Sequence, residues 1–372
     1  MNFVIITHVL HNKQGEKLYA YAPYVREMNL WLKHVDVVDI VAPISIDNEV
    51  SSIDLPYHHN SINLRAIPQI QFTSFRAVLV SLLRLPRILI TLFKACKNAD
   101  HIHLRCPGNI GLLGCLVQIW FPNKVKTAKY AGNWDPKALQ PLSYRIQKLI
   151  LSSTILTKNI SVIVYGKWLH QSKNIKSFFT ASFSKLEIES DYKKTYSGEL
   201  YFVFIGSLVE GKRPLLTIKI IEYLLKKGIN VKLDIYGDGV LKNELTKYIK
   251  NQGLQNIIKL HGNQHKETIK SALKKSHFTI LPSKSEGWPK AIAEGMFFGA
   301  IPIATEISCL PWMLDFGNRG VLIVPEVECA SEKIINVIEH RDLEIMSRSA
   351  QEWAQQYTID DFEIEVGKLL QV

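Results

Sequence analysis

The segment Ser285-Glu286-Gly287-Trp288-Pro289-Lys290-Ala291-Ile292-Ala293-Glu294-Gly295-Met296 sets two glutamates eight residues apart across the start of a helical stretch. It directly follows the apolar run Phe278-Thr279-Ile280-Leu281. Pro289 suits a first helical turn, where its missing N–H costs nothing, and Ser283 or Ser285 is placed to cap the orphan donors. The result is an anion-friendly helix N-terminus at the carboxyl end of a strand, the place where open α/β sheets bind nucleotides. Glu286 is also suited to the plainer task of complementing a helix dipole. Glu294 is not, because it lies among Ala291, Ile292, Ala293 and Met296, where an unpaired carboxylate is costly to bury. A ligand hydroxyl is its natural partner, and both carboxylates are expected to face one ligand site.

A second cluster is Gly206-Ser207-Leu208-Val209-Glu210-Gly211-Lys212-Arg213-Pro214, a strand-to-helix turn with glycines that let a backbone approach closely and two cations ahead of Pro214. Lys212 can act there as a point charge on a diphosphate. The Gly-x-x-x-x-Gly-Lys spacing resembles a P-loop, but Arg213 stands where a magnesium-binding Ser or Thr is required, so that class is disfavoured. Tyr236-Gly237-Asp238-Gly239 and Leu260-His261-Gly262-Asn263 each close a strand. Taken singly these are turns, but several converging on neighbouring strand ends make a nucleotide crevice.

The elements that position these loops are short apolar runs alternating with helical stretches. In the first half they are Phe3–Thr7, Val35–Val41, His101–Leu104, Val125–Tyr130 and Val162–Tyr165. A second series begins at Tyr201 and runs through Val231–Tyr236, Ile257–Leu260, Phe278–Leu281, Ile301–Ala304 and Val321–Val324. The pattern predicts an α/β protein of two doubly wound units with mainly parallel sheets. The polar stretch 184–197 marks the boundary, giving domains 1–190 and 191–355 and a terminal segment 356–372. A length of 372 residues suits two cores. Five cysteines without a Cys-x-x-Cys pair or metal-ligand spacing point to a reducing compartment. The N-terminal apolar run is too short for a signal peptide and reads as a first strand.

The net charge of +11 is lopsided: residues 1–190 hold 22 Lys and Arg against 11 Asp and Glu, while residues 191–372 hold 23 of each sign. Within the first half, the stretch from Phe75 to Lys97 threads Arg76, Arg84, Arg87, Lys94 and Lys97 through Leu, Val, Ile and Phe. Arg84, Pro86 and Arg87 in its middle argue against a membrane span, and a basic apolar helix of this kind suits an anionic membrane interface. No nucleic-acid module or aromatic-interleaved basic motif accompanies the charge, so a nucleic-acid partner is not expected. A dinucleotide dehydrogenase is disfavoured because no Gly-x-Gly-x-x-Gly follows the first strand.

With the Gly206 to Lys212 turn, Tyr236-Gly237-Asp238-Gly239, Leu260-His261-Gly262, Leu281-Pro282-Ser283 and the Glu286/Glu294 pair in that order, the chain resembles the retaining, nucleotide-sugar-dependent glycosyltransferases of family 4 over about residues 199–330. The resemblance implies a glycosyltransferase-B architecture of two Rossmann-like domains facing a central cleft. It implies that the second domain binds the donor, the first binds the acceptor, and the terminal helix returns to the first domain. Carried over by position, Glu294 binds the ribose hydroxyls and Glu286 lies beside the transferred sugar. Lys212 neutralises the diphosphate, and Gly206, Ser207, Arg213, Gly237, Gly262, Gly287, Trp288 and Lys290 complete the donor side. On the acceptor side the candidates are Gly15 and His11, with His8, in the loop after the first strand, Arg105 after the third, and Asn133 and Asp135 after the fourth. Relatives usually have Arg at the position of Ser207 and Phe-Gly in place of Trp288-Pro289, so one backbone donor is missing here, and one leaving-group cation too unless Arg213 or Lys290 replaces it. They also commonly carry a histidine in the region that reads Lys129-Tyr130-Ala131-Gly132-Asn133-Trp134-Asp135.

The implied activity is transfer of a sugar from a nucleotide diphosphate sugar to a hydroxyl of a lipid-linked surface glycan such as capsule or O-chain. The implied site is the inner face of the cytoplasmic membrane, reached peripherally from the cytoplasm through the basic first domain. No Asp-x-Asp occurs, so no metal or other cofactor is expected. Two alternatives stay open: a nucleotide-sugar epimerase of similar fold, and a non-catalytic subunit that binds nucleotide or membrane beside a partner transferase. The departures at Ser207 and Pro289 favour the latter.

Overall fold

The computed structural model describes residues 1–45, 49–51, 53–70, 74–189 and 194–371. The chain forms two compact units, Met1–Phe179 together with the C-terminal segment from Phe362, and Thr180–Asp361. The expected 190/191 boundary lies outside the described residues. The division falls earlier, at Phe179/Thr180, and the return to the first unit begins at Phe362 rather than 356.

In the first unit the strands are β1 (Asn2–Ile6), β2 (His11–Gln14), β3 (Lys17–Tyr21), β4 (Val37–Pro43), β5 (Asp54–Pro56), β6 (Ile62–Ile67), β7 (His101–Cys106), β8 (Val125–Tyr130), β9 (Ile160–Tyr165) and β10 (Ile175–Phe178). Seven of them form a parallel sheet in the order β10-β9-β8-β7-β1-β4-β6, and β2-β3-β5 form a small antiparallel sheet. On the inner strands β7 and β8 even polar positions are buried, as in a parallel sheet covered on both faces, whereas Asn63, Lys176 and Ser177 on the edge strands β6 and β10 are exposed. His101 and His103 alternate with Ile102 and Leu104 along β7, yet all four are inside. The two histidines share the Thr127 hydroxyl on β8, at 2.9 and 2.8 Å.

The stretch from Phe75 is a single helix, Phe75–Asn98, with Pro86 inside it. Ile88, Leu92, Ala95 and Cys96 pack into the core. Leu79, Leu82, Leu83, Ile90 and Phe93 remain exposed. Among the described residues no helix is long and apolar enough to cross a membrane.

The second unit contains β11 (Leu200–Ile205), β12 (Val231–Tyr236), β13 (Ile258–Gly262), β14 (Phe278–Leu281), β15 (Ile301–Thr305) and β16 (Val321–Ile323), all parallel, in the order β13-β12-β11-β14-β15-β16. The order reverses at β11, which lies between β12 and β14. That reversal is a topological switch point, and the connections leaving β11 and β14 diverge there and leave a crevice at the strands' carboxyl ends.

Candidate active site

The turn after β11 and the loop after β14 meet over the switch point. Lys284 N–H donates to Gly211 O at 2.8 Å, and Arg213 Nη1 donates to Pro282 O at 3.0 Å. Lys212 Nζ lies 2.5 Å from Glu286 Oε1, with side-chain exposures of 29% and 7%. The pair therefore has a nearly buried carboxylate and an ammonium that water still reaches. Arg213 is the N-cap of helix Pro214–Lys226 and takes a left-handed conformation (φ 51°, ψ 50°), while Pro214 occupies the first turn. The turn thus sets Lys212 on the Glu286 carboxylate and Arg213 on the Pro282 carbonyl of the same loop.

The strand-end glycines fit the same edge. Gly237 has φ +136°, and a Cβ there would stand 2.0 Å from the carbonyl oxygen of Gly206, so only glycine lets the β11 and β12 loops touch. Gly206 N–H donates to Tyr236 O, and Gly237 N–H donates to Gly262 O. Ser207, where a third cation was missing in the sequence, is exposed at the edge of this cluster. His261 beside Gly262 lies against the Tyr236 ring, with Nε2 2.6 Å from Asp234 Oδ1.

Helix Lys290–Phe297 follows the Glu286 loop. Its N-cap is Pro289 with no side-chain cap, so neither Ser283 nor Ser285 serves as expected. The Ser283 carbonyl instead accepts from Thr305 Oγ1 at 2.6 Å. The Gly287 carbonyl accepts from Cys309 Sγ at 3.2 Å, and burial pushes that thiol up to about 12. Trp288 is buried against Trp312, Trp353 and Tyr357. Glu294 accepts a hydrogen bond from Ser182 Oγ at 2.5 Å. With Lys290, Trp288 and Tyr357 it lines a small cavity, and neither Glu286 nor Lys212 is among the lining residues. The two glutamates thus belong to separate sets of contacts in this structure, one with Lys212 and one with Ser182.

Residues 187–356 match the family model described as glycosyl transferases group 1. The second unit carries a group 1 glycosyl transferase domain. Over 262 residues the chain is 26% identical to an uncharacterized glycosyltransferase of Methanocaldococcus jannaschii, covering 61% of this chain and 64% of the relative. Over 206 residues it is 25% identical to the GDP-mannose:cellobiosyl-diphosphopolyprenol alpha-mannosyltransferase of Xanthomonas oryzae pv. oryzae, covering 51% of this chain and 53% of that one. The chain thus spans less than two thirds of the length of either relative. Among solved structures, Anabaena HepE in complex with UDP and glucose is similar with a TM-score of 0.67 at 14% identity, over 100% of this chain and 99% of that one. At that identity the likeness is one of fold, and the fold is glycosyltransferase-B.

The candidates outside the group 1 domain fare differently. His11 is not in an open loop but on β2, fully buried, with Nδ1 2.8 Å from Val9 O and Nε2 2.8 Å from Tyr57 Oη. Both ring nitrogens are engaged and burial lowers its pKa to about 4, so it offers nothing to an acceptor. Gly15, expected to allow close approach, forms the β2–β3 hairpin turn with φ +58° and open space around it. Arg105 is committed inward: its Nη1 lies 3.0 Å from Glu27 Oε1, while Lys129 Nζ lies 2.7 Å from Oε2 of the same carboxylate. Lys129 is also ringed by Tyr165, Phe178 and Phe362. Asn133 Oδ1 accepts from Asp135 N–H, and Asp135 Oδ1 accepts from Lys137 N–H, at 2.8 Å each. Sequence reading missed Ser182 and Glu27, whose partners are remote in the chain. Among the described residues no group of three or more His, Cys, Asp or Glu is placed to hold a metal ion.

Proposed function

We propose that the chain is a retaining glycosyltransferase moving a sugar from a nucleotide diphosphate sugar to a hydroxyl of a lipid-linked cell-surface glycan of the capsule or O-chain kind. The observation that carries this reading is the Lys212–Glu286 pair, held at the sheet's switch point within a group 1 domain. The Xanthomonas relative, named for a cellobiosyl-diphosphopolyprenol substrate, supports a lipid-linked acceptor.

In the proposed complex the donor diphosphate lies over the carboxyl ends of β11 and β14. An ammonium has three donors, so Lys212 keeps Glu286 while reaching a phosphate oxygen. As the bond between the anomeric carbon and the diphosphate oxygen breaks, charge grows on that oxygen. Lys212 and Arg213, fixed before the reaction, stabilise it without reorganisation. The acceptor oxygen bonds to the same carbon from the same face, and its proton passes to the departing diphosphate. Configuration is thereby retained with no dedicated base. Glu286 borders the sugar, and Glu294 exchanges Ser182 for the ribose hydroxyls. Two cations and a helix N-terminus do the neutralising, so turnover is expected to survive chelation of divalent metals.

Asn133 and Asp135 remain the acceptor candidates on the first unit. The exposed Leu82, Leu83, Ile90 and Phe93 of helix Phe75–Asn98, interleaved with exposed Arg84, Arg87 and Lys94, support peripheral attachment to an anionic membrane, proposed as the cytoplasmic face. Titration calorimetry against a panel of nucleotides and nucleotide sugars, with Glu294→Ala beside the native protein, tests the reading. Binding of one nucleotide family that the substitution abolishes is expected. Absence of binding across the panel refutes it.

A further inference from the structure

The first unit contains an open cavity of about 460 Å³ between the 134–140 loop, helix Leu142–Ser152 and Gln171. Its volume is in the range of small-molecule sites. The ring of Trp134 contributes to its wall and is itself buried. The amides that line it are already engaged. Gln171 Oε1 accepts from Trp134 Nε1 at 2.9 Å and its Nε2 donates to Leu169 O. Gln140 Oε1 accepts from Tyr130 Oη at 3.1 Å and its Nε2 donates to Asn133 O. The two amides thus have little left for a ligand, and the other polar side chains of the lining are Ser152, Ser153, Arg145 and Lys148.

The charged groups differ. Arg145 and Lys148 stand one helical turn apart on the cavity wall. Arg145 is exposed, and its guanidinium has no hydrogen bond or ion pair with any described residue. Lys148 Nζ donates to the backbone oxygen of Asp135 at 3.1 Å and lies over the Trp134 ring at 5.3 Å, which leaves two of its three donors. Asp135, the carboxylate of this loop, is tied to the Lys137 N–H. Leu149 lines the cavity, Leu139 lies in the chain between the lining residues Ala138 and Gln140, Leu142 begins the helix that carries Arg145, and all three leucines are more than two thirds exposed. Large apolar side chains in that state, beside an unpaired guanidinium and an ammonium with donors to spare, suit contact with an amphiphilic anion.

We infer that this cavity binds a phosphate or diphosphate group carried on an apolar chain, with Arg145 and Lys148 on the anion and the Leu139, Leu142 and Leu149 rim on the chain. Arginine's planar fork suits phosphate oxygens, and the lysine adds a point charge. The inference deepens the proposed function only in naming the head of the lipid-linked acceptor as occupant, and the site is separate from helix Phe75–Asn98.

The test uses geranyl diphosphate, inorganic diphosphate and geraniol in calorimetry with the full chain, and repeats each titration with Lys212→Ala so that the donor side is accounted for. Geranyl diphosphate should bind at least tenfold more tightly than inorganic diphosphate, unaffected by Lys212→Ala. Arg145→Gln with Lys148→Gln should abolish that binding. Leu139→Ser with Leu149→Ser, both at exposed positions, should reduce it to the level of inorganic diphosphate. Equal binding of the two diphosphates assigns the cavity to free phosphate and overturns the amphiphile. Binding lost with Lys212→Ala, unchanged in both cavity variants, or matched by geraniol overturns the site. No nucleotide sugar enters these titrations, so their failure leaves the transferase reading intact, and failure of the nucleotide panel leaves this one intact.

Discussion

Lys212→Ala separates a counter-ion from a catalyst. Removing the ammonium leaves the Glu286 carboxylate, 7% exposed, without its partner. Orphaning one member of a buried pair costs about 3–5 kcal/mol, but the 29% exposure of Lys212 lets water screen the site, so about 2 kcal/mol is a fair expectation. For a unit of this size that is a fall in Tm of about 6 °C. Glu286→Gln leaves a solvated lysine and should cost well under about 1 kcal/mol. The double variant has no orphaned charge, and its Tm should return most of the way to that of the native protein. Turnover should behave otherwise. Losing a preorganised cation from the leaving group lowers kcat by about 10²–10³, and nothing in the double variant replaces it. The assay is thermal unfolding of all four proteins alongside release of nucleoside diphosphate at saturating donor. A double variant that regains both Tm and turnover makes Lys212 a structural counter-ion alone and refutes the mechanism.

Gly237→Ala places a methyl against the Gly206 carbonyl at a backbone angle of +136° and should cost about 3 kcal/mol and weaken nucleotide affinity, read by thermal shift with and without nucleotide; an unchanged Tm contradicts the packing described. Burial lowers the pKa values of His11 and His101 from 6.5 to about 4. The unfolded chain therefore binds more protons between those values, and the stability these histidines contribute is complete above pH 6.5 and is lost as pH falls towards 4. At pH 5 the loss is about 2 kcal/mol for each, about 4 for the pair, and His101→Gln should flatten melting curves taken from pH 8 to 5. Saturating EDTA should leave turnover within twofold of its untreated value, and abolition restored by a divalent cation would remove the metal-free reading.

Much of the second unit was legible because its strands are short apolar runs closed by glycine or proline, and parallel sheets covered on both faces make such runs. Lys212 and Glu286 came from two strand-end loops, and adjacency of β11 and β14 brings such loops together. The contact between Ser182 and Glu294, 112 residues apart, leaves no local pattern to read. The β2–β3 hairpin escaped because His11-Asn12-Lys13-Gln14-Gly15-Glu16-Lys17 has the composition of a loop, and its pairing depends on β5 much later in the chain. His11 looked available for the same reason, its burial being set by Tyr57. The caps expected at Ser283 and Ser285 failed because the helix begins only after Pro289, beyond the reach of either hydroxyl.

The first unit is discontinuous. Phe178 and Phe179 pack on Phe362, Lys129 takes one of its three rings from Phe362, and Lys33 meets Glu363 at 2.7 Å. During synthesis, which runs from the N-terminus, more than 180 residues of the other unit emerge before these partners do. The part made first must therefore be finished last. It waits with an aromatic seam open and a buried lysine incompletely enclosed, whereas the group 1 domain, continuous in sequence, has all its strands in hand. A nascent chain stalled just short of Phe362 would show that order to limited proteolysis, with the later-made unit resistant and the earlier-made one still cut.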